Sequence, residues 1–243
     1  MIRLPELGFP PTSPFPYPDA ALVEPNGLLA WGGDLSPPRL LNAYRNGIFP
    51  WYSPGEPILW WSPNPRCVFR TADFQLSRRD RRTLKRKDWT IVADRDFESV
   101  MRACATQPRP GQKGTWIDQA MLAAYQRLHA LGNAHSIEAR NADGDLVGGL
   151  YGIAIGRAFF GESMLSIESG GSKAVLAGLC HRLHEWNMPL LDAQVESAHL
   201  LRMGASLVSR RDFLGELDTL TGTDSTAGNW ATRFGSLALS EVV

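Results

Sequence analysis

Four short stretches carry the residue types from which a reaction centre could be built. In Leu190-Leu-Asp-Ala-Gln-Val195 a strand pattern puts Asp192 and Gln194 on one face, because side chains repeat every two residues along a strand. A carboxylate that polarises a neighbouring amide could hold an incoming amine and accept its proton partway. In Ala158-Phe-Phe-Gly-Glu-Ser-Met-Leu165, Glu162 interrupts an otherwise apolar strand. A buried acid is costly unless paired, so Glu162 either faces out at an edge or meets a bound cation such as an amine or guanidinium. The third stretch is Tyr44 with Phe49-Pro-Trp-Tyr52. Aromatics this dense between prolines serve either as core or as a stacking platform for nucleobases, worth about 1–3 kcal/mol per base. The fourth, Gly114-Thr-Trp-Ile117, places Trp116 at the start of a long helix, with binding and packing roles equally open.

The familiar catalytic strings are absent: there is no GxSxG, HExxH, P-loop or GxGxxG. Cys67, Cys104 and Cys180 lie far apart and form no CxxC pair, which argues against a disulfide framework or zinc site and for buried thiols. His181 and His184 sit one helical turn apart without a third ligand and read as polar-face residues.

The chain has 25 basic and 25 acidic residues, unevenly spread. The segment Arg78 to Lys87 holds seven basic side chains and one acid, leaving the remainder net negative. A cationic spot on an otherwise anionic protein suits docking of a localised anion rather than coating of long nucleic acid. Arg78, Arg81, Arg82, Lys85 and Arg86 are its candidate contacts. Hydrophobic residues make up 44% of the 243, enough for a substantial core. No apolar run approaches the roughly 20 residues of a membrane helix, and the N-terminus lacks the pattern of a signal peptide. A cytoplasmic location without membrane partners is expected.

Two compositional regions must position these residues. Residues 1–66 contain 14 of the 17 prolines, interleaved with aromatics. Proline fixes φ and removes a donor, so the region reads as a small irregular domain with one helix, Pro37 to Asn46, capped by Ser36 and stopped by Gly47. Residues 67–243 read as a larger α/β domain. Helices are expected from Asp96 to Cys104, Thr115 to Leu131 (Ile117, Met121, Tyr125, Leu128 and Leu131 on one face) and Ser172 to Trp186. Strands are expected at His135–Arg140, Leu146–Ile155, Ala158–Leu165 and Leu190–Val195. The turn Asn141-Ala-Asp-Gly144 joins the first two. A brief helix should end at Gly204, a last strand should follow near Ser206 to Phe213, and the final twenty or so residues look weakly structured.

Taken together, the stretches resemble the bacterial leucyl/phenylalanyl-tRNA–protein transferases. The likeness runs in order through Glu24-Pro-Asn-Gly-Leu-Leu29, Gly32-Gly-Asp-Leu-Ser36, Gly47-Ile-Phe-Pro-Trp51, Pro57-Ile-Leu-Trp-Trp-Ser-Pro63, Gly114-Thr-Trp-Ile117, Ala134-His-Ser-Ile-Glu138, Leu146-Val-Gly-Gly-Leu150, Gly161-Glu-Ser-Met164 and Ser172-Lys173. The resemblance implies an enzyme that moves Leu, Phe or sometimes Met from its tRNA to proteins beginning with Arg or Lys, marking them for degradation through the N-degron pathway. It implies a small N-terminal domain followed by an acyltransferase domain like the N-acetyltransferases, with a mixed sheet, and neither metal nor coenzyme.

Carried over by position, Trp51 and Trp116 contact the terminal adenosine, with Tyr44 and Tyr125 nearby. Phe159 and Met164 line the pocket for the aminoacyl side chain, and Glu162, Asp192 and Gln194 form the acceptor and catalytic site. The Arg78 to Lys87 cluster matches the patch for the tRNA acceptor stem. Two departures stand out. Ser197 replaces an Asn beside that site, and Gly170-Gly171 replaces an expected Ala before Ser172, which suggests a looser loop.

The aminoacyl ester is already activated, so such an enzyme needs proximity and amine orientation more than a nucleophile. Asp192 polarising Gln194, or proton transfer through the substrate's ribose, are the two routes. The rivals are an acetyl-CoA-dependent acetyltransferase and a non-catalytic tRNA-binding module. The first needs a Gln/Arg-x-x-Gly-x-Gly/Ala turn that the chain lacks; at the comparable place, Glu168-Ser-Gly-Gly-Ser172 opens with an acid that would repel phosphate. The second has no use for an Asp-x-Gln strand. A monomer is expected, since no patterned dimer helix is evident.

Overall fold

A computed structural model describes residues 4–107, 115–222 and 228–243. Gly114 of the Gly-Thr-Trp-Ile stretch lies outside the described residues. The fold is mixed α/β, built on two sheets.

The Pro-rich region is more regular than its composition suggests. It forms β1 (Glu6–Leu7), β2 (Leu28–Gly32), the helix α1 (Pro37–Arg45), β3 (Phe49–Pro50) and β4 (Leu59–Trp61). These four strands make one sheet in the order β1-β2-β4-β3. Prolines do not break it because Pro50 sits on the edge strand, while Pro57 and Pro63 lie outside β4. Trp60 is wholly buried, and its indole N–H donates to the Gly32 carbonyl at 2.9 Å. Ser36 precedes α1 but its hydroxyl caps nothing; the Asp34 carboxylate accepts the Ser36 N–H at 2.8 Å instead.

The larger sheet begins at Arg66 and has eight strands. These are β5 (Arg66–Arg70), β6 (Thr90–Ala93), β7 (Ala134–Arg140), β8 (Leu146–Ile155), β9 (Ala158–Ser166), β10 (Leu190–Gln194), β11 (Ser206–Val208) and β12 (Ser236–Ala238). Their order is β11-β5-β10-β9-β8-β7-β6-β12, antiparallel except for the parallel pair β9–β10. The helices are α2 (Arg78–Leu84), α3 (Phe97–Thr106), α4 (Gln119–Ala130), α5 (Gly171–Glu185), α6 (Ala198–Arg202), α7 (Arg210–Thr221), α8 (Trp230–Phe234) and α9 (Leu239–Val242).

Alternation along the central strands builds a core on each face of the sheet. Tyr151, Ile153 and Phe160 pack with α1, α3, α4 and the Trp60 sheet, whereas Leu150, Ala154 and Phe159 pack with α5, α8 and α9. The first of these cores runs without a break from the small sheet into the large one. No described helix is long and apolar enough to cross a membrane.

Several expectations need correction. The helix α4 starts at Gln119, four residues later than expected, because the Asp118 carboxylate accepts the Met121 N–H at 2.8 Å and caps it there. Trp116 therefore sits in the approach to the helix, and Leu131 at its far end is exposed. The last strand stops at Val208; Ser209 then caps α7, so Phe213 belongs to a helix. Residues 228–243 are ordered, since β12 extends the sheet edge at β6 and Trp230 is fully buried; the start of that stretch, 224–227, lies outside the described residues. The turn before α5 is tight rather than loose: a Cβ on Gly171 would collide with the Val147 carbonyl and with Gly148 of β8.

Candidate active site

Two irregularities in adjacent strands create the site. Along β8–β9, Tyr151 faces Ser163 and Gly152 faces Gly161, so Glu162 is the extra residue of a β-bulge. Along β10–β5, Asp192 faces Val68 and Gln194 faces Cys67, so Ala193 is extra. Pairing between β9 and β10 ends at Phe160–Asp192, and beyond it the two strands separate. Bulges of this kind re-aim side chains. Here they turn Glu162 and Gln194 towards each other across the gap, and Gln194 Nε2 donates to Glu162 Oε1 at 2.8 Å.

The bulge at Ala193 breaks the two-residue repeat on which the shared face of Asp192 and Gln194 was expected. Asp192 is wholly buried and bound by Arg66, Nε to Oδ1 at 2.9 Å and Nη2 to Oδ2 at 2.7 Å. It meets Gln194 only through the backbone: its Oδ1 accepts the Gln194 N–H at 2.9 Å. That bond fixes Gln194 in the left-handed region at φ 63°, which few residues other than glycine adopt. Asp192 thus holds the Gln194 backbone, and the carboxylate that touches the Gln194 amide is that of Glu162. Arg66 was not anticipated as part of the site. Its Nη1 also donates to the Gly47 carbonyl at 2.9 Å, and its guanidinium lies over the rings of Phe49 and Phe213, at 4.9 and 4.7 Å.

Glu162 accepts from three groups. The hydroxyls of Tyr44 and Tyr125 donate to it at 2.6 and 2.9 Å, alongside the Gln194 amide, and the two hydroxyls also contact one another. Burial raises the Glu162 carboxyl to about 7, against the opposing pull of these donors. Burial, and after it the same carboxylate, raises both tyrosines well above their usual range. Of the two roles open to Tyr44, the structure shows packing, and Tyr125 is packed beside it. Both are fully buried, with Tyr44 against Phe160 and Tyr125 edge-on to Tyr151, and both hydroxyls reach Glu162.

Glu162 sits where two cavities meet. The first, of about 230 Å³, is mostly apolar and is lined by Phe69, Leu150, Met164, Leu176, Leu191 and Leu200, with Ser197 at its rim. Phe159, expected in this lining, points to the opposite side of β9 and is buried against Trp230. The second cavity, of about 310 Å³, is walled by Trp51, Trp116, Phe49, Gln194 and Glu196 and shares Glu162 and Ser197 with the first. Trp51 is 38% exposed and its ring packs on Trp61, whose indole N–H donates to the Trp51 carbonyl at 2.6 Å. Ser197 caps α6 by accepting the Leu200 N–H at 3.2 Å.

The basic segment forms α2 and its C-terminal end, with Arg78, Arg81, Arg82, Lys85 and Arg86 all exposed. Its one acid, Asp80, pairs with Lys173 in the first turn of α5, the helix whose Leu176 lines the first cavity. The cationic surface therefore flanks the cleft.

No thiol is placed for nucleophilic attack: Cys67 is buried, and burial with the Asp192 and Glu196 charges pushes its thiol up to about 11. His181 is an exposed partner of Glu185 at 3.5 Å, and His184 is exposed beside it. Asp94, His129 and His135 cluster elsewhere, but their near atoms bond to protein: His135 Nδ1 to Asp94 at 2.7 Å, His129 Nδ1 to the Ala134 carbonyl at 2.8 Å, and Ser136 N–H to Asp94 at 2.8 Å.

An apolar chamber and an aromatic-walled one thus meet at a polar junction. The model of the leucyl/phenylalanyl-tRNA protein transferases matches residues 68–218, and that of their N-terminal domain matches residues 33–64. A leucyl/phenylalanyl-tRNA–protein transferase of Xanthomonas euvesicatoria pv. vesicatoria (strain 85-10) is 56% identical over 234 residues, covering 96% of this chain and 93% of that protein. One from Xylella fastidiosa (strain 9a5c) is 53% identical, covering 96% of each. The solved structure of L-PGS from Bacillus licheniformis aligns over 73% of this chain and 67% of its own at 11% identity, with a TM-score of 0.42, a likeness too slight to carry weight. The chain belongs to the leucyl/phenylalanyl-tRNA–protein transferase family and is an aminoacyltransferase.

Proposed function

We propose that the enzyme transfers Leu or Phe, and less readily Met, from aminoacyl-tRNA to the α-amino group of proteins that begin with Arg or Lys, marking them for degradation through the N-degron pathway. The first cavity takes the donor side chain, with Met164 in its wall, and Trp51 and Trp116 flank the terminal adenosine in the second. Arg78, Arg81, Arg82, Lys85 and Arg86 contact the acceptor stem. Residues 1–66 and 67–243 act as two domains around this cleft, in the cytoplasm.

The observation that carries the reading is the Glu162–Gln194 contact where the cavities meet. An ionised carboxylate can only accept, so the amide nitrogen of Gln194 must face it and Oε1 is turned away. Gln194 Oε1 then accepts a hydrogen bond from the attacking amine, and Glu162 strengthens that acceptor by polarising the amide. The amine nitrogen bonds to the ester carbonyl, the bond from that carbon to the ribose oxygen breaks, and the amine proton ends on the ribose oxygen. Asp192 keeps Gln194 in place.

Incubation with radiolabelled leucyl-tRNA and a peptide beginning with Arg tests the reading. Label should move to this peptide and not to one beginning with Ala. Binding of charged tRNA without transfer would instead favour a tRNA-binding module.

A further inference from the structure

We propose that Glu196 sets the preference for a cationic acceptor, by pairing with the guanidinium or ammonium of the acceptor's first side chain. The proposal rests on the function inferred above. Selecting Arg or Lys requires a carboxylate that is ionised, reachable and free to take a new donor.

The two acids nearest the reaction centre fail these conditions. Asp192 is buried and neutralised by two bonds from Arg66. Both Glu162 oxygens already accept, Oε1 from Tyr44 and Gln194, Oε2 from Tyr125. Oε1 is filled, and a charged partner would have to share Oε2 with Tyr125.

Glu196 is both reachable and free. It is exposed, lines the second cavity together with Gln194, Trp51 and Trp116, and makes no hydrogen bond or ion pair with any described residue. Only Val195 separates it from Gln194, so at most about 7 Å of chain divides the residue that takes the α-amino group from the one that takes the side chain. That span suits the three- or four-carbon stem of Arg or Lys. The indole faces of Trp51 and Trp116 in the same wall add a surface on which a guanidinium can stack.

The test compares peptides identical except for Arg or citrulline, its uncharged isostere, at the first position, with leucyl-tRNA as donor. The wild type should favour Arg. Glu196→Gln should raise KM for the Arg peptide about three- to tenfold, as for one charge-assisted contact in a partly open cleft, and bring the two peptides together. Glu196→Lys should reverse the order. Glu196 is exposed, so both variants should keep the wild-type melting temperature. An unchanged Arg-to-citrulline ratio in Glu196→Gln would overturn the proposal. So would a fall in KM for leucyl-tRNA alone, which would place Glu196 against the donor's phosphates. If the wild type itself transfers to neither peptide, the proposed function fails, and the assignment of Glu196 fails with it.

Discussion

Arg66→Met removes the cation on which the site's geometry depends. The native guanidinium makes two bonds to the fully buried Asp192 and one to the Gly47 carbonyl, and lies between two phenyl rings. A methionine fills much of the space but leaves a buried carboxylate without its partner. Breaking one side of such a pair costs about 3–5 kcal/mol, a large fraction of the roughly 5–15 kcal/mol that holds a domain folded. The single variant should therefore unfold at a clearly lower urea concentration, read by tryptophan fluorescence. Replacing both partners, Arg66→Met with Asp192→Leu, removes the unpaired charge and should recover at least about 1–2 kcal/mol of that loss. The double variant still lacks the acceptor that fixes the Gln194 backbone, so it should fold yet transfer poorly. If Arg66→Met shifted stability by less than about 1 kcal/mol, or if the double variant were no more stable than the single, the pairing would not be the anchor argued here. If the double variant transferred at the wild-type rate, the role of Asp192 in holding Gln194 would fall.

Glu162 gives a pH prediction whose sign is fixed by its raised carboxyl. A carboxyl that binds its proton more tightly when folded stabilises the protein below its ordinary range, and that contribution is lost as pH rises from about 4.5 to about 7. Glu162→Gln should flatten this part of the stability curve, by on the order of 3 kcal/mol in chemical denaturation, and a curve as steep as the wild type's would count against it. The proposed mechanism uses the ionised form, so wild-type kcat should climb through about pH 7 while Glu162→Gln loses that limb in single-turnover assays. Reversing Arg81 and Arg82 to Glu should raise KM for leucyl-tRNA, with the slope of log affinity against log salt falling by about 0.7–0.9 per lost phosphate contact; an unaltered slope would move the acceptor stem elsewhere. Met164→Trp should fill the first cavity and depress transfer of Phe more than of Met at equal tRNA concentration, whereas an equal loss for both donors would place the side chain elsewhere.

The fold was most legible where one local signal decided the outcome. The hairpin of β7 and β8 follows from the Asn141–Gly144 turn, and α3 and α5 appear within two residues of their expected ends because periodic apolar positions and terminal residues agree. What escaped was decided at a distance. Nothing local announces that Trp230 will be buried against Phe159, His135 and Trp186, yet that burial orders the C-terminal residues and lets β12 close the sheet edge at β6. Arg66 and Asp192 are 126 positions apart, so their pairing is invisible to any reading of spacing.

For the candidate site, the sequence made it easier to see which residues come together than how they are arranged. Glu162, Gln194, Trp51, Trp116 and Met164 do converge on one cleft. The arrangement turns on two extra residues, Glu162 and Ala193, whose bulges override the alternation that a strand reading assumes. The same physics explains why the polar residues divide as they do. A wholly buried acid is tolerated only with a cation, and Asp192 has one in Arg66. An acid at the edge of solvent can be held by neutral donors at the cost of a raised carboxyl, which is the state of Glu162. Gln194, neutral throughout, can present an acceptor to an amine without itself gaining or losing a proton. A transferase whose donor arrives activated needs that constancy more than it needs a nucleophile.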